Sequence, residues 1–214
     1  MEALIISVNE PQLDRCKIAV MKQTVPFTKI VHVNCVVPEY LAFNQGMSQT
    51  TGEWVVKIDG DFILYENAVE LMNPYMKPYD NRHCCSYAFG LNDTFLEHLI
   101  GFCCVFKASL YKKHPYLDKL SNDRKANTFF RRSGWRVRKN VGITVGSHFD
   151  KPDEFQVFKR FYTQWIKYPN DPFLKARLPE LLERTGNPLY EIASRAGRFA
   201  EQKKVYPGSH NLNF

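Results

Sequence analysis

The chain lacks any apolar run close to the roughly 20 residues needed to cross a bilayer; its longest apolar stretches are only a few residues. It also lacks a charged-then-apolar leader, since a strand pattern begins almost at Met1, and the expected location is therefore cytoplasmic. No C-x-x-C spacing occurs among the six cysteines. Cys84-Cys85 and Cys103-Cys104 are adjacent pairs inside apolar runs, where neighbours on a strand point to opposite faces and could not reach one zinc ion. Reduced, buried thiols are the expected state. There are no internal repeats and no low-complexity tracts. No helix-turn-helix, RRM or zinc-finger spacing is present, which removes the common nucleic-acid modules.

What remains is an ordinary globular composition, 44% hydrophobic and 24% charged, with a formal net charge of +7. Its 214 residues suffice for one α/β domain with a full core and a small helical appendage. The positive charge implies an anionic partner: nucleic acid, an acidic membrane surface or a phosphorylated small molecule. Arg124, Lys125, Arg131, Arg132, Arg136, Arg138 and Lys139 crowd one stretch without an acidic residue, either as an anion site or as a solvated helix face.

Ala3 to Val8 has the pattern of a buried strand, Pro11 to Val25 that of an amphipathic helix, and Lys29 to Val37 that of a second strand. A helix over Tyr40 to Thr51 and a strand over Trp54 to Ile58 continue this β-α-β alternation. The pattern then predicts a short helix over Asn67 to Tyr75 and a strand over Cys84 to Phe89, with another apolar run over Phe102 to Lys107 that leads into Leu110 to Lys113. Another helix is expected over Asn122 to Ser133, followed by a strand over Trp135 to Val145 that runs on to His148. From about residue 151 the character changes. Phe155, Phe158, Phe161, Tyr162 and Trp165 fall at helical intervals, with further helical patterns over Pro172 to Arg184 and Pro188 to Lys204. The expectation is a catalytic α/β domain over 1–150 and a helical appendage over 151–214 packed on it, in a chain that could be one module of a longer protein. The aromatic stripe would be the packing face or, alternatively, a membrane or partner surface.

The third strand ends in Asp59-Gly60-Asp61. In open parallel α/β sheets, ligands bind outside the carboxyl ends of the strands. Carboxylates at i and i+2 share one side of a strand, and the intervening glycine permits close approach, so both could face a hard cation such as Mg²⁺ or Mn²⁺. Such an ion bridges phosphate oxygens and stabilises a diphosphate leaving group. A surface turn is the plain alternative.

"AFNQGMSQTTGEWVVKIDGDFILYENAVELM" resembles the central signature of GT-A glycosyltransferases of the large family 2 type: a helix opening in Asn-x-Gly, a Gly-Glu turn, an apolar strand, D-x-D and a further helix. "LIISVNE" resembles that family's first strand, and "LSNDRKANTFFRRSGWRV" its acidic segment, helix and Gly-aromatic turn. The similarity spans about residues 3 to 148. It implies a GT-A, Rossmann-like α/β fold with a mostly parallel central sheet and flanking helices. It also implies a metal-dependent hexosyltransferase that moves sugar from a nucleotide-sugar, expected to be a UDP-sugar, to a hydroxyl acceptor such as a growing glycan. Asp61 would ligate Mn²⁺ or Mg²⁺, Asp59 would contact the ribose or complete the metal shell, and His148 would be a third metal contact or an ordinary surface histidine. Asn9, Glu10 and Asn34 would lie near the nucleobase. Lys57 would orient the acidic pair or the diphosphate, and Asn44 and Gly60 would complete the donor site. Asp123 matches the general base of inverting members, although Asn122 stands where the family usually has Glu; Asp93 is a second candidate. Phe43 replaces a basic residue found in many relatives, which would shift phosphate neutralisation to the metal and the basic cluster.

Three alternatives fit these residues less well. A haloacid-dehalogenase-type phosphohydrolase also opens on D-x-D after a strand, but has its motif near the N-terminus and Thr or Val where Ile63 stands. A basic nucleic-acid-binding domain leaves the acidic pair without a role. A nucleotidyltransferase would need a Gly-rich loop where Val8-Asn9-Glu10-Pro11 stands.

Overall fold

The structure is a computed structural model that describes residues 1–76, 84–93, 101–116, 129–137, 139–149, 154–167 and 188–204, with a few isolated positions between 169 and 186. It falls into two compact units, Met1–Asp150 and Lys151–Phe214.

The first unit is built on a seven-stranded sheet. Its strands are β1 (Glu2–Ser7), β2 (Ile30–Asn34), β3 (Trp54–Asp59), β4 (Phe62–Leu64), β5 (Ser86–Asp93), β6 (Gly101–Lys107) and β7 (Lys139–His148), in the spatial order β2-β1-β3-β6-β5-β7-β4. The parallel character expected from the sequence belongs to β2-β1-β3 and to the β5-β7 pair. β6 runs antiparallel to both β3 and β5, and β4 antiparallel to β7, so the sheet is mixed. β4 is three residues long and shows no alternation of its own in the sequence; its register opposite Gly146 to His148 defines it.

Alternation along the strands produces two cores, one on each face. Ala3, Ile5, Val56 and Ile58 point to one side, where Leu13, Cys16 and Val20 of helix α1 (Leu13–Met21) and Val69 and Met72 of α3 (Ala68–Met72) meet them. Leu4, Ile6 and Val55 point to the other, against Ala42, Phe43 and Met47 of α2 (Glu39–Gln49) and Tyr111 of α4 (Ala108–Lys113). The buried residues of α1 at 13, 16 and 20 recur at three- and four-residue steps, one face of a 3.6-residue helix. Gly46 is required where α2 crosses β1, because a Cβ there would collide with the buried Leu4 side chain. The paired cysteines divide as strand geometry dictates. Cys84 and Cys103 enter the first core, Cys85 and Cys104 the second, and no cysteine is in a disulfide.

In the second unit, α5 (Glu154–Lys167) packs against α6 (Pro188–Lys204). Val157, Phe161 and Trp165 are buried on α5, and Tyr190, Ala193, Ala196 and Ala200 on α6. Gly197 admits the Trp165 indole, which a Cβ would strike. Of the aromatic stripe, Phe158 and Tyr162 cluster with Phe199, while Phe155 is exposed. Most of the helix expected over Pro172 to Arg184 lies outside the described residues. Among the described residues, no helix is long and apolar enough to cross a membrane.

Candidate active site

Parallel pairing gathers the carboxyl ends of the strands at one edge. Ile6 of β1 lies opposite Asp59 of β3, Ser7 opposite Asn34 of β2, and Asp93 of β5 opposite His148 of β7. The sheet edge therefore carries most of the residues that the D-x-D reading singled out.

At Gly60 the chain leaves β3 and turns into β4, with the Gly60 N–H donating to the Ile6 carbonyl at 2.9 Å. A Cβ on Gly60 would lie 2.9 Å from the Glu10 carboxyl carbon and 3.0 Å from Ser7 Cβ, so only glycine leaves this turn unobstructed. The turn carries Asp61 out of the β3 plane and onto β7. The Phe149 N–H donates to the Asp61 carbonyl at 3.0 Å, Phe62 pairs with His148, and Asp61 Oδ2 lies 3.0 Å from His148 Nε2. His148 stands edge-on to the Phe62 ring, with centroids 5.2 Å apart, which restrains the imidazole. Gly146 allows this approach of β7 to β4: a Cβ there would sit 2.6 Å from the Ile63 carbonyl oxygen.

Asp59 takes a different partner. Strand alternation puts Lys57 and Asp59 on the same face, and Lys57 Nζ donates to both Asp59 oxygens, at 2.6 and 2.9 Å. The same ammonium lies 2.8 Å from Glu39 Oε1 at the first turn of α2. Burial works against the charge of Lys57, but Asp59 and Glu39 outweigh it and hold the ammonium well above its ordinary range. Confinement pushes the Asp59 carboxyl up, helped by Glu39 and Asp61, against the pull of Lys57. The strand, and with it the same-side argument for the acidic pair, ends at Asp59, and the turn at Gly60 gives each carboxylate its own partner. Among the described residues, no three His, Cys, Asp or Glu side chains form a metal cage. The Asp61 and His148 donors fit a smaller share of a coordination shell: in an octahedron with ligands at about 2.1 Å, adjacent donors lie about 3.0 Å apart.

At the ends of β1 and β2 a polar chain links side chains. Ser7 Oγ donates to Asn34 Oδ1 at 2.6 Å, and Asn34 Nδ2 donates to Asn9 Oδ1 at 2.8 Å. Ser7 Oγ also lies 2.8 Å from His32 Nε2, and with its one proton given to Asn34 it accepts from the imidazole. Burial, together with Lys17, holds the His32 pKa below its ordinary value. Asn9 and Cys35 both adopt left-handed φ, 64° and 56°, and Asn9 Nδ2 lies 3.0 Å from Cys35 Sγ. Glu10 turns inward to accept the Val8 N–H at 2.9 Å. Beneath the turn, the Cys16 thiol points at the Asp59 carbonyl; burial and the nearby Asp61, Asp59 and Glu10 push its pKa up to about 12, which keeps it a neutral thiol.

Asn44 stands apart from this edge. Its amide donates to the Tyr116 carbonyl at 2.7 Å and accepts the Tyr116 N–H at 3.0 Å, which pins the segment after α4 onto α2. Phe43 stacks on Tyr116 with centroids 4.6 Å apart, so the position where the resemblance led one to expect a basic residue is a core position here. Asp123, Arg124, Lys125 and Arg138 lie outside the described residues, as do the side chains of Asp93 and Lys139. Arg131, Arg132 and Arg136 are exposed. Sequence reasoning passed over Ser7, His32 and Glu39. The first ends an apolar run, the second precedes Asn34 by two on the polar face of an edge strand, and the third follows Pro38 at a helix start; each signal is weak alone.

No protein-family model matches the sequence, and no curated protein matches it significantly. The fold is similar to that of solved glycosyltransferases. The mannosyltransferase PcManGT from Pyrobaculum calidifontis, solved in complex with GDP-Man and Mn²⁺, aligns over 94% of this chain and 75% of its own, with 15% identity and a TM-score of 0.56. Glucosyl-3-phosphoglycerate synthase from Mycobacterium tuberculosis, solved with Mn²⁺, UDP and phosphoglyceric acid, aligns over 77% of each chain, with 12% identity and a TM-score of 0.53. S. aureus TarS 1–349 aligns over 95% of this chain and 91% of its own, with 9% identity and a TM-score of 0.52. The chain has a Rossmann-like GT-A fold.

Proposed function

We propose that the chain is a metal-dependent glycosyltransferase that transfers a sugar, a hexose by expectation, from a nucleotide-sugar to a hydroxyl acceptor such as a growing glycan, with a UDP-sugar as the expected donor. The observation that carries this reading is the meeting of Asp61 and His148, 3.0 Å apart, at the carboxyl edge of a GT-A sheet. Asp61 and His148 would hold the divalent cation, and the imidazole in the pair suits Mn²⁺ better than Mg²⁺. That ion, when bound, supplies positive charge to the diphosphate as the bond from phosphate oxygen to the anomeric carbon breaks.

The protein's own groups cover the remaining tasks. Asn9 and Asn34, fixed by Ser7, present amide groups to the nucleobase, and Glu10 flanks them. Asp59 offers carboxylate lone pairs to a ribose hydroxyl. Asp123 or Asp93 would take the acceptor hydroxyl proton while that oxygen bonds the anomeric carbon and the nucleoside diphosphate departs. Burial of the Cys16 thiol keeps a competing nucleophile out of this chemistry.

A thermal-shift panel of nucleotide-sugars with and without Mn²⁺ tests the reading. A UDP-sugar should raise Tm only when Mn²⁺ is present, and Asp61→Asn should abolish the rise. An equal rise without metal, or none with any nucleotide-sugar, would defeat it.

A further inference from the structure

The two aspartates of the motif differ in the company they keep. Both oxygens of Asp59 receive the Lys57 ammonium at 2.6 and 2.9 Å, and Glu39 anchors that ammonium at 2.8 Å. The Lys57 side chain is 17% exposed, so water competes little for its protons. Asp61, by contrast, faces an imidazole nitrogen, a group that can donate a proton or ligate a cation. Two neighbouring carboxylates therefore have unlike counterparts: a permanent cation for one and a metal-capable base for the other.

We infer that Lys57 is a resident counter-ion for Asp59, positioned by Glu39, and that among the described residues it leaves Asp61 and His148, without Asp59, to hold the metal. This rests on the proposed donor-dependent metal site and assigns its order of assembly. With Asp61 and a neutral His148 as its ligands among the described residues, the cation is held weakly until diphosphate oxygens complete the shell. Metal and donor then bind as a unit, and metal alone does not fill the site. The ammonium also fixes the Asp59 carboxylate in one orientation, where it can accept from the donor without moving toward the cation. Lys57 and Glu39 are positioning residues in this scheme, and neither touches the reacting atoms.

The test is Mn²⁺ binding to the full chain, followed by the loss of the free-ion EPR signal, with and without UDP. Wild type should bind Mn²⁺ weakly alone and tightly with UDP. Lys57→Met frees a second carboxylate and should tighten binding of Mn²⁺ alone about tenfold or more, because affinity for hard cations rises with the number of charged ligands. Lys57→Gln should act in the same direction, and it retains a hydrogen-bond donor for Asp59 should the Met variant fold poorly. Adding Asp59→Asn to either variant should erase the gain. The inference is overturned if the Lys57 variants bind Mn²⁺ no more tightly than wild type, or if the gain survives Asp59→Asn, which would mark it as a diffuse charge effect. Failure of UDP to tighten Mn²⁺ binding to wild type would overturn the glycosyltransferase reading and this inference with it, whereas failure confined to the Lys57 variants leaves that reading standing, so the two failures are distinct.

Discussion

Gly60→Ala tests how closely the site turn is fitted. The glycine has no left-handed φ, so alanine can adopt its backbone, and stiffening of the unfolded chain would by itself stabilise by about 0.4–1 kcal/mol. Against this stand two contacts. The new methyl would meet the Glu10 carboxylate, whose carbon would be 2.9 Å away, and would lie 3.0 Å from Ser7 Cβ. Glu10 can swing aside, but it then gives up the Val8 N–H it accepts at 2.9 Å, a loss of about 1 kcal/mol. Ser7 belongs to β1 and is held by Asn34, so relief there requires the turn itself to shift, at an overpacking cost of about 1–3 kcal/mol. The balance is a destabilisation of about 1–3.5 kcal/mol, or a Tm lower by about 2–14 °C in a chain of this size. Urea unfolding of Gly60→Ala, Glu10→Ala and the double variant measures it. Removing the Glu10 side chain should recover about 1 kcal/mol of the alanine's cost, a coupling expected only between groups in contact. A Gly60→Ala variant as stable as wild type, or costs that simply add in the double variant, would refute the reasoning.

Three further outcomes are expected. Burial opposes ionisation of Glu2, but hydrogen bonds from the Thr51 hydroxyl and the Thr51 and Gly52 backbone, with help from Lys29, prevail and hold its pKa below the ordinary value of 4.5. A lowered folded-state pKa adds stability above 4.5 that is lost as pH falls through the folded value, so Glu2→Gln should cost about 1.5–3 kcal/mol at pH 7 and much less at pH 3, as read by denaturant titration at both. Gly146→Ala should destabilise by about 1–3 kcal/mol, because the clash is with the Ile63 backbone, and should weaken Mn²⁺ binding by displacing His148 from Asp61; unchanged EPR titrations would contradict the β4–β7 geometry. Asn44→Ala should cost about 1–3 kcal/mol in urea unfolding by stripping the Tyr116 backbone of both hydrogen bonds, and a negligible loss would show that this pin carries no weight.

The N-terminal half of the fold is legible in the sequence because each element there has one strong period. Leu4 and Ile6 alternate with Ala3 and Ile5, and Leu13, Cys16 and Val20 repeat at helical steps. The α6 boundaries at Pro188 and Lys204 follow equally from pattern. β4 was not legible, since three residues carry no measurable alternation and its identity comes from pairing with a strand more than eighty residues away. For the same reason the reversal of β6 is invisible, as apolar runs read alike in either direction. At the site, strand reasoning put Asp59 and Asp61 on one face and could not foresee that the Gly60 turn leaves Asp59 with Lys57 and sends Asp61 toward β7. The Asn44 clamp on Tyr116 was equally hidden, because a backbone partner leaves no trace in side-chain spacing.

The distribution of thiols has a practical consequence. Five of the six cysteines are buried, and Cys35 alone is exposed, at the mouth of the site beside Asn9. A maleimide dye added to the unmutated chain should therefore report from a single address, beside the Asn9 amide proposed to meet the nucleobase, and so supply an optical signal for ligand screening without engineering.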